Sequence, residues 1–473
     1  MKLTASSIRD EIIKGNIDIE DYILKKLELI RKNDKKINAF ISIDSEEFLR
    51  ERARNIKMEI NSGKKPMLAG IAISIKDVIS TSFLPTTAGS KILEGYVPPF
   101  NATVVEKILK EGGIIIGKTN LDEFAMGSTT EFSAYGPTRN PWDLERVAGG
   151  SSGGSAASLS YGAADLSLGS DTGGSARLPA SYTCTFGLKP TYGLVSRYGL
   201  IPYANSLEQI SPMARSVEDL ALLLKVIKGY DEKDATSIPR VKENNYERFK
   251  VCVIEDLVRD SDRPIKSSLY NLLHKLELEG IETEYREKLD YINYALPVYY
   301  TIAFAEASSN LARYDGKLYG RMGNGETYKK ASIDTRRSNL GLEVRKRILM
   351  GVLTLSEGFK NEYYIAATKG RRLIRDEILK VTKDCILVSP VSPILPPRIG
   401  EKIGDPLKLY AMDVYTVIAN LAGIPALALP SSFYNGLPIG IQFMGKPFSE
   451  GSLIRLGLII EKITGISGVI ASG

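Results

Sequence analysis

Histidine is almost absent: the chain has 473 residues and one histidine, His274. A serine hydrolase that takes its proton with an imidazole needs that residue beside the nucleophile. His274 instead sits in SSLYNLLHKLELEG, whose apolar spacing predicts an amphipathic helix with no carboxylate partner in view. A surface or half-buried structural place is expected for it. No G-x-S-x-G turn surrounds the candidate nucleophile either, which weakens the reading of an α/β-hydrolase with a Ser-His-Asp triad. Cysteine is scarce too. Cys184, Cys252 and Cys385 are far apart and lack metal-ligand spacing. All three are expected to be reduced and buried, and no metal site is expected. Long apolar runs are missing: nothing approaches the roughly 18 residues that span a bilayer. The N-terminal MKLTASSIRDEIIKG mixes charges into its apolar positions, unlike a secretory signal. A cytoplasmic protein with no membrane partner is expected. Charge of one sign is missing as well, since 62 basic against 56 acidic residues leave only +6. That excess is too slight for this chain to grip nucleic acid by itself.

What is present suits a folded chain, with 43% hydrophobic and 25% charged residues. Up to about residue 65 the texture is helical, with Ile19, Tyr22, Ile23, Leu27 and Ile30 on one face. From about 66 to 240 it turns to Gly, Ser and short apolar runs, which predict strands and tight turns. Within that stretch, Ser216 to Asp219 reads as a capping box that opens a helix closed by Gly229. Lys250 to Arg286 alternates strand, helix and strand. Residues from about 290 to 380 read as mainly helical. The strand CILVSP follows, and IPALALPSSFYNGLPIGIQFMG reads as a hairpin around Asn435-Gly436. No linker or repeat divides the chain. The expected fold is α/β, a single large domain over 1–473 with a central mixed, twisted β-sheet surrounded by helices.

Three motifs bear on chemistry. GGIIIGKT, from Gly112 to Thr119, fits the phosphate-loop pattern by letter, but Ile114, Ile115 and Ile116 favour a strand and a helix precedes them. It is read as helix, glycine, strand. The Gly/Ser tract from Gly149 to Ser158 has no domain edge beside it, so close backbone approach is expected rather than a linker. In GSDTGGSARLP, consecutive small residues from Asp171 to Ser175 suit amides gathered into an oxyanion hole. With no histidine, the base must be another group. Lys76 ends GIAISIKD, where Ala72, Ser74 and Lys76 share the small-residue face of a strand. Burial would keep such a lysine neutral enough to act, while an edge-strand lysine in water is the alternative that the residues alone favour.

Lys76 in SIKD, Ser151 in GGSSGGS and Ser175 in GSDTGGSARLP, followed by FGLKPTYGLVSRYGL, together resemble the amidase signature family. The resemblance runs through nearly the whole chain. It implies that Lys76 is the base, Ser151 the proton relay after a cis Gly150–Ser151 bond, and Ser175 the nucleophile. It also implies an oxyanion hole from the amides of Thr172, Gly173, Gly174 and Ser175. Within the family, NLDEFAMGSTTEFSAYGPTRNPW, EVRKRI and LYAMDVYTVIANLAGIPALALP are most similar to the glutamine-hydrolysing branch of the tRNA-dependent amidotransferases. That branch implies glutamine as substrate, held by Tyr299, Arg347, Asp413 and Ser128, with Arg347 suited to its α-carboxylate and Asp413 to its α-ammonium. It implies partner subunits that bind tRNA and use ATP and Mg, while this chain carries no cofactor of its own. Read without the resemblance, Arg347 belongs to the cluster RKR on a solvated helix face and Asp413 to a helix end. A stand-alone amidase for small amides, with the same triad, is the alternative. SLEQISPMAR departs from the family, which more often has Asp and Gly at the positions of Glu208 and Ser211.

Overall fold

Short β-branched runs bounded by glycine turns fold as strands. The computed structural model describes residues 4–401 and 405–471. Its first strands are β1 Phe40–Ile43, β2 Ala72–Lys76, β3 Ile114–Thr119, β4 Arg139–Asn140, β5 Asp143–Val147 and β6 Leu166–Asp171. They are followed by β7 Phe186–Lys189, β8 Gln209–Ala214, β9 Lys250–Ile254, β10 Glu282–Arg286, β11 Ile386–Pro390, β12 Ala426–Tyr434 and β13 Leu437–Met444. β4 and β5 pair as a ribbon. The other eleven form one sheet in the order β1-β3-β2-β6-β8-β7-β12-β13-β11-β9-β10. β3, β2 and β6 are parallel neighbours, as are β11, β9 and β10, while the strands between run antiparallel. The fold is thus the single α/β domain with a mixed sheet and surrounding helices that the pattern predicts. Ile75 of β2 stands beside Leu168 of β6, so the carboxyl ends of these two strands lie together. Open α/β sheets place their chemistry at such an edge.

The phosphate-loop lookalike is strand β3, entered from the helix Thr103–Lys110 through Gly112 at φ +76°. Its Lys118 is spent on the fold, donating to the Ile79 carbonyl at 2.7 Å and facing Asp77 at 3.3 Å. At the helix Val217–Ile227 the capping box is only half made. Ser216 accepts from the Asp219 N–H, but the Asp219 carboxylate turns away to cap Ala5 and Ser6 at 2.9 and 3.0 Å. That carboxylate ties the N-terminal helix Ala5–Ile13 to the core.

The expectation of three reduced cysteines is overturned: Cys252 and Cys385 form a disulfide. Cys252 lies in β9 and Cys385 leads into β11, its parallel neighbour, which brings their Cα atoms to 5.9 Å, within disulfide reach. The partners are 133 residues apart, so no local spacing announces the bond. Between them run β10 and the helices Arg263–Leu278, Ala295–Asn310, Tyr328–Asn339, Leu342–Leu355 and Ala366–Thr382. Cys184 is buried. Among the described residues no helix is long and apolar enough to cross a membrane.

Candidate active site

The small-residue face of β2 packs against backbone, as the alternation implies. Ser74 Oγ meets Ser158 Oγ and Ser167 Oγ, each at 2.8 Å, leaving no room for solvent between β2, β6 and the helix Gly153–Ser160. Lys76 follows on the same face and is fully buried. Its Nζ lies 2.7 Å from Ser151 Oγ and 2.9 Å from Ser170 Oγ. Burial lowers its pKa to about 7, with the carboxylates of Asp122, Asp171 and Glu208 pulling the other way. An amine in that range is free to take a proton at neutral pH. The Gly150–Ser151 peptide is cis, and Ser151 leads into the helix Gly153–Ser160. Asp122 fixes the loop that follows it by accepting the amides of Thr130 and Phe132 at 2.9 and 3.1 Å, which carries Ser128 into the site.

Ser175 sits in the turn between β6 and the short helix Arg177–Tyr182. It is 8% exposed, where Lys76 and Ser151 are sealed, so the nucleophile candidate is the member of the three that meets solvent. The Ser152 N–H donates to the Ser175 carbonyl at 3.0 Å and clamps the two serine turns together. Asp171 organises the turn from below. It accepts from the Gly174 N–H at 3.0 Å and from Arg177 Nε and Nη2 at 3.0 and 2.9 Å. Burial opposes its charge, yet the Arg177 guanidinium holds it at about 2. Gly174 has φ +132°, and a Cβ there would collide with Thr416 Oγ1, so the turn requires glycine. The Gly174 N–H, one of the four amides expected to face an oxyanion, is thus donated to Asp171.

Beyond the turn, Thr416 Oγ1 donates to the Gly173 carbonyl at 2.5 Å, and the Tyr299 hydroxyl lies against Gly173 Cα. Asp413 is buried and accepts from Ser128 Oγ and Tyr300 OH, both at 2.8 Å; burial pushes it up to about 6. Arg347 is not on a solvated face but only 2% exposed. Its helix, Leu342–Leu355, approaches the helix Ala295–Asn310 so closely that a Cβ at Gly351 would overlap the Phe304 carbonyl. That approach drives Arg347 into a cage of Tyr203, Tyr300, Phe304 and Tyr410, with ring centroids 5.3–5.7 Å from its guanidinium carbon. Nε donates to Glu343 Oε1 and Nη1 to Tyr203 OH, each at 2.9 Å, while Nη2 has no partner among the described residues.

The structure therefore gathers Lys76 with Ser151, the Ser175 turn with Tyr299, and Ser128 with Asp413. Sequence reading missed Ser170, Arg177, Tyr203, Tyr300, Glu343 and Tyr410. Of these only Glu343 left a signal, four residues before Arg347 on one helix. His274 is solvent-exposed on its helix, and Glu277 one turn on stands 3.9 Å away, supplying the carboxylate neighbour that the sequence reading did not see. No group of three or more His, Cys, Asp or Glu among the described residues could hold a metal ion.

The family described as Amidase matches residues 21–454. The glutamyl-tRNA(Gln) amidotransferase A subunit of Sulfurisphaera tokodaii is 52% identical over 461 residues, 96% of this chain and 96% of its own length. The protein of the same name from Methanosarcina acetivorans is 47% identical over 470 residues, 98% and 97% of the two chains. The crystal structure of its counterpart from Thermotoga maritima superposes with a TM-score of 0.80 at 41% identity, over 97% of this chain and 94% of that one. By a match that spans most of its length, the chain belongs to the amidase family.

Proposed function

We propose that this chain hydrolyses the side-chain amide of glutamine and supplies the ammonia within an amidotransferase complex acting on Glu-tRNA(Gln), Asp-tRNA(Asn) or both. The observation that carries the reading is a pair of opposite buried charges left unpaired with each other. Arg347 keeps a free Nη2, and Asp413 is held by hydroxyls alone. A zwitterionic amino acid completes both, with its α-carboxylate on Arg347 and its α-ammonium on Asp413. Tyr299 then lies between the amino-acid end and the Ser175 turn.

Neutral Lys76 takes the proton of Ser151, and Ser151 takes that of Ser175 as Ser175 Oγ bonds to the amide carbon. The amides of Thr172, Gly173 and Ser175 receive the developing oxyanion. The proton returns through Ser151 to the nitrogen as the C–N bond breaks, releasing ammonia and leaving a glutamyl ester on Ser175. Water, deprotonated along the same chain, cleaves the ester to glutamate. Support for partner subunits comes from the names of the relatives and from the exposed apolar residues Leu349, Met350, Val352 and Leu353 on the helix Leu342–Leu355. Activation of the acyl group with ATP and Mg, and most of the tRNA contact, belong to those partners.

The test is ammonia release from glutamine and from acetamide, by the chain alone and with copurified partners, in the parent and in Ser175→Ala. Glutamine is expected to be the better substrate by orders of magnitude and Ser175→Ala to be inactive. Acetamide turned over as well as glutamine would move the stand-alone small-amide amidase ahead, and an active Ser175→Ala would remove the nucleophile.

A further inference from the structure

We propose that Glu343 and Tyr410 form a positioning pair that keeps Arg347 away from Asp413 and aimed at the substrate, and so set the preference for amides bearing an α-carboxylate. The inference rests on the glutamine reading above. Two opposite charges buried in one dry pocket attract strongly, and a long arginine side chain is the one that would move. Yet no ion pair among the described residues joins Arg347 to Asp413.

The geometry supplies the restraint. Glu343, one helical turn before Arg347, is buried and accepts from its Nε at 2.9 Å. The Tyr410 hydroxyl donates to the same Glu343 oxygen at 2.9 Å, so the carboxylate is pinned from a second side. Tyr203 takes Nη1. With two of its nitrogens tied, the planar guanidinium has no remaining freedom, and the direction of Nη2 follows. Tyr300 stands between the charges: its ring lies 5.6 Å from the guanidinium carbon while its hydroxyl holds Asp413 at 2.8 Å. A buried donor without an acceptor is costly, so a fold that pins one in place is holding it for a ligand. Were Glu343 lost, Arg347 would be free to reach Asp413, and each charge would consume the partner meant for glutamine.

The experiment measures kcat and KM for glutamine and for butanamide, which carries neither the carboxylate nor the ammonium. Glu343→Ala should raise KM for glutamine by about tenfold or more with kcat little changed, and spare the uncharged amide. Glu343→Gln keeps the acceptor and should stay within about threefold of the parent. In an Asp413→Asn background, Glu343→Ala should add little, because the charge that draws Arg347 away is gone. Tyr410→Phe removes one hydroxyl, tests the same restraint if Glu343→Ala does not fold, and should raise KM for glutamine alone. Equal losses on both amides, or an unchanged glutamine KM in Glu343→Ala and Tyr410→Phe, would overturn the pair. If Arg347→Ala itself left glutamine kinetics intact, the glutamine reading would fall first.

Discussion

In the proposed mechanism Lys76 ties stability and catalysis to one proton, and the two respond to pH in ways that can be worked out beforehand. An ordinary lysine near pKa ~10.4 would be neutral in only about one molecule in two thousand at pH 7. Held at about 7 by burial, Lys76 is neutral in about half of them, a gain of about a thousandfold in competent base. The neutral fraction rises from about one in eleven at pH 6 to about ten in eleven at pH 8, so kcat for glutamine should climb about tenfold over that span and then level. Asp413, pushed up to about 6, also charges as pH rises, but in the proposed pocket it holds the substrate, so its titration should appear in KM. Ammonia release measured at saturating glutamine from about pH 5.5 to 9 separates the two. Lys76→Arg, charged at every pH in the range, should lose at least about a hundredfold in kcat.

The same shift has a sign in stability. Between about pH 7 and pH 10.4 the unfolded chain holds a proton on Lys76 that the native chain lacks, so stability rises with pH through that window. Below about pH 7 both states are protonated and the native state bears the full cost of the buried charge, about 4–5 kcal/mol. Lys76→Met removes that cost and loses the two hydrogen bonds to Ser151 and Ser170, worth about 1 kcal/mol each. The inactive Met variant should therefore be more stable than the parent near neutrality, by about 2 kcal/mol, with the gap closing near pH 9 and the order reversed by about pH 10. Denaturant melts at several pH values check this. A kcat that is flat between pH 6 and 8, or a Met variant less stable than the parent at neutrality, would refute the reasoning.

The remaining predictions concern the pocket and the disulfide. Arg347→Ala or Asp413→Asn strips a partner from a charged group of glutamine, costing about 2–5 kcal/mol, or about thirtyfold to several thousandfold in kcat/KM, with acetamide nearly unaffected; matched losses on both amides would make these residues supports of the fold. Cys252→Ser opens a loop of 133 residues, for which chain entropy sets a loss of up to about 5 kcal/mol, so its Tm should fall well below the parent's. Alkylation of the unfolded chain should mark one cysteine before reduction and all three after it; three marked without reductant would show the bond is not made.

How much of this was legible depended on whether a signal was local. Strands, turns and the rejected phosphate loop follow from neighbours within a few residues: Ile114–Ile116 favour a strand whatever surrounds them. Lys76 was legible for a related reason. A strand's two-residue period puts Ala72 and Ser74 on its face, which suits close packing, but an edge-strand lysine in water fits the same residues until β2 is placed between β3 and β6. Arg347 had no such cue, because EVRKRI reads as a charged helix face until Gly351 is seen against the Phe304 carbonyl of another helix. The disulfide failed in the same way, since adjacency of β9 and β11 is a property of the sheet order and not of either segment. Gly174 shows the same dependence on distant residues. It was read as one of several small residues whose amides gather at one point, but the direction of its N–H depends on Asp171, and Asp171 is anchored by Arg177 and by Asn420, which lies 249 residues further along the chain. Residue types near Ser175 therefore announce the chemistry. Which amide serves it is decided by a carboxylate that distant parts of the chain hold in place.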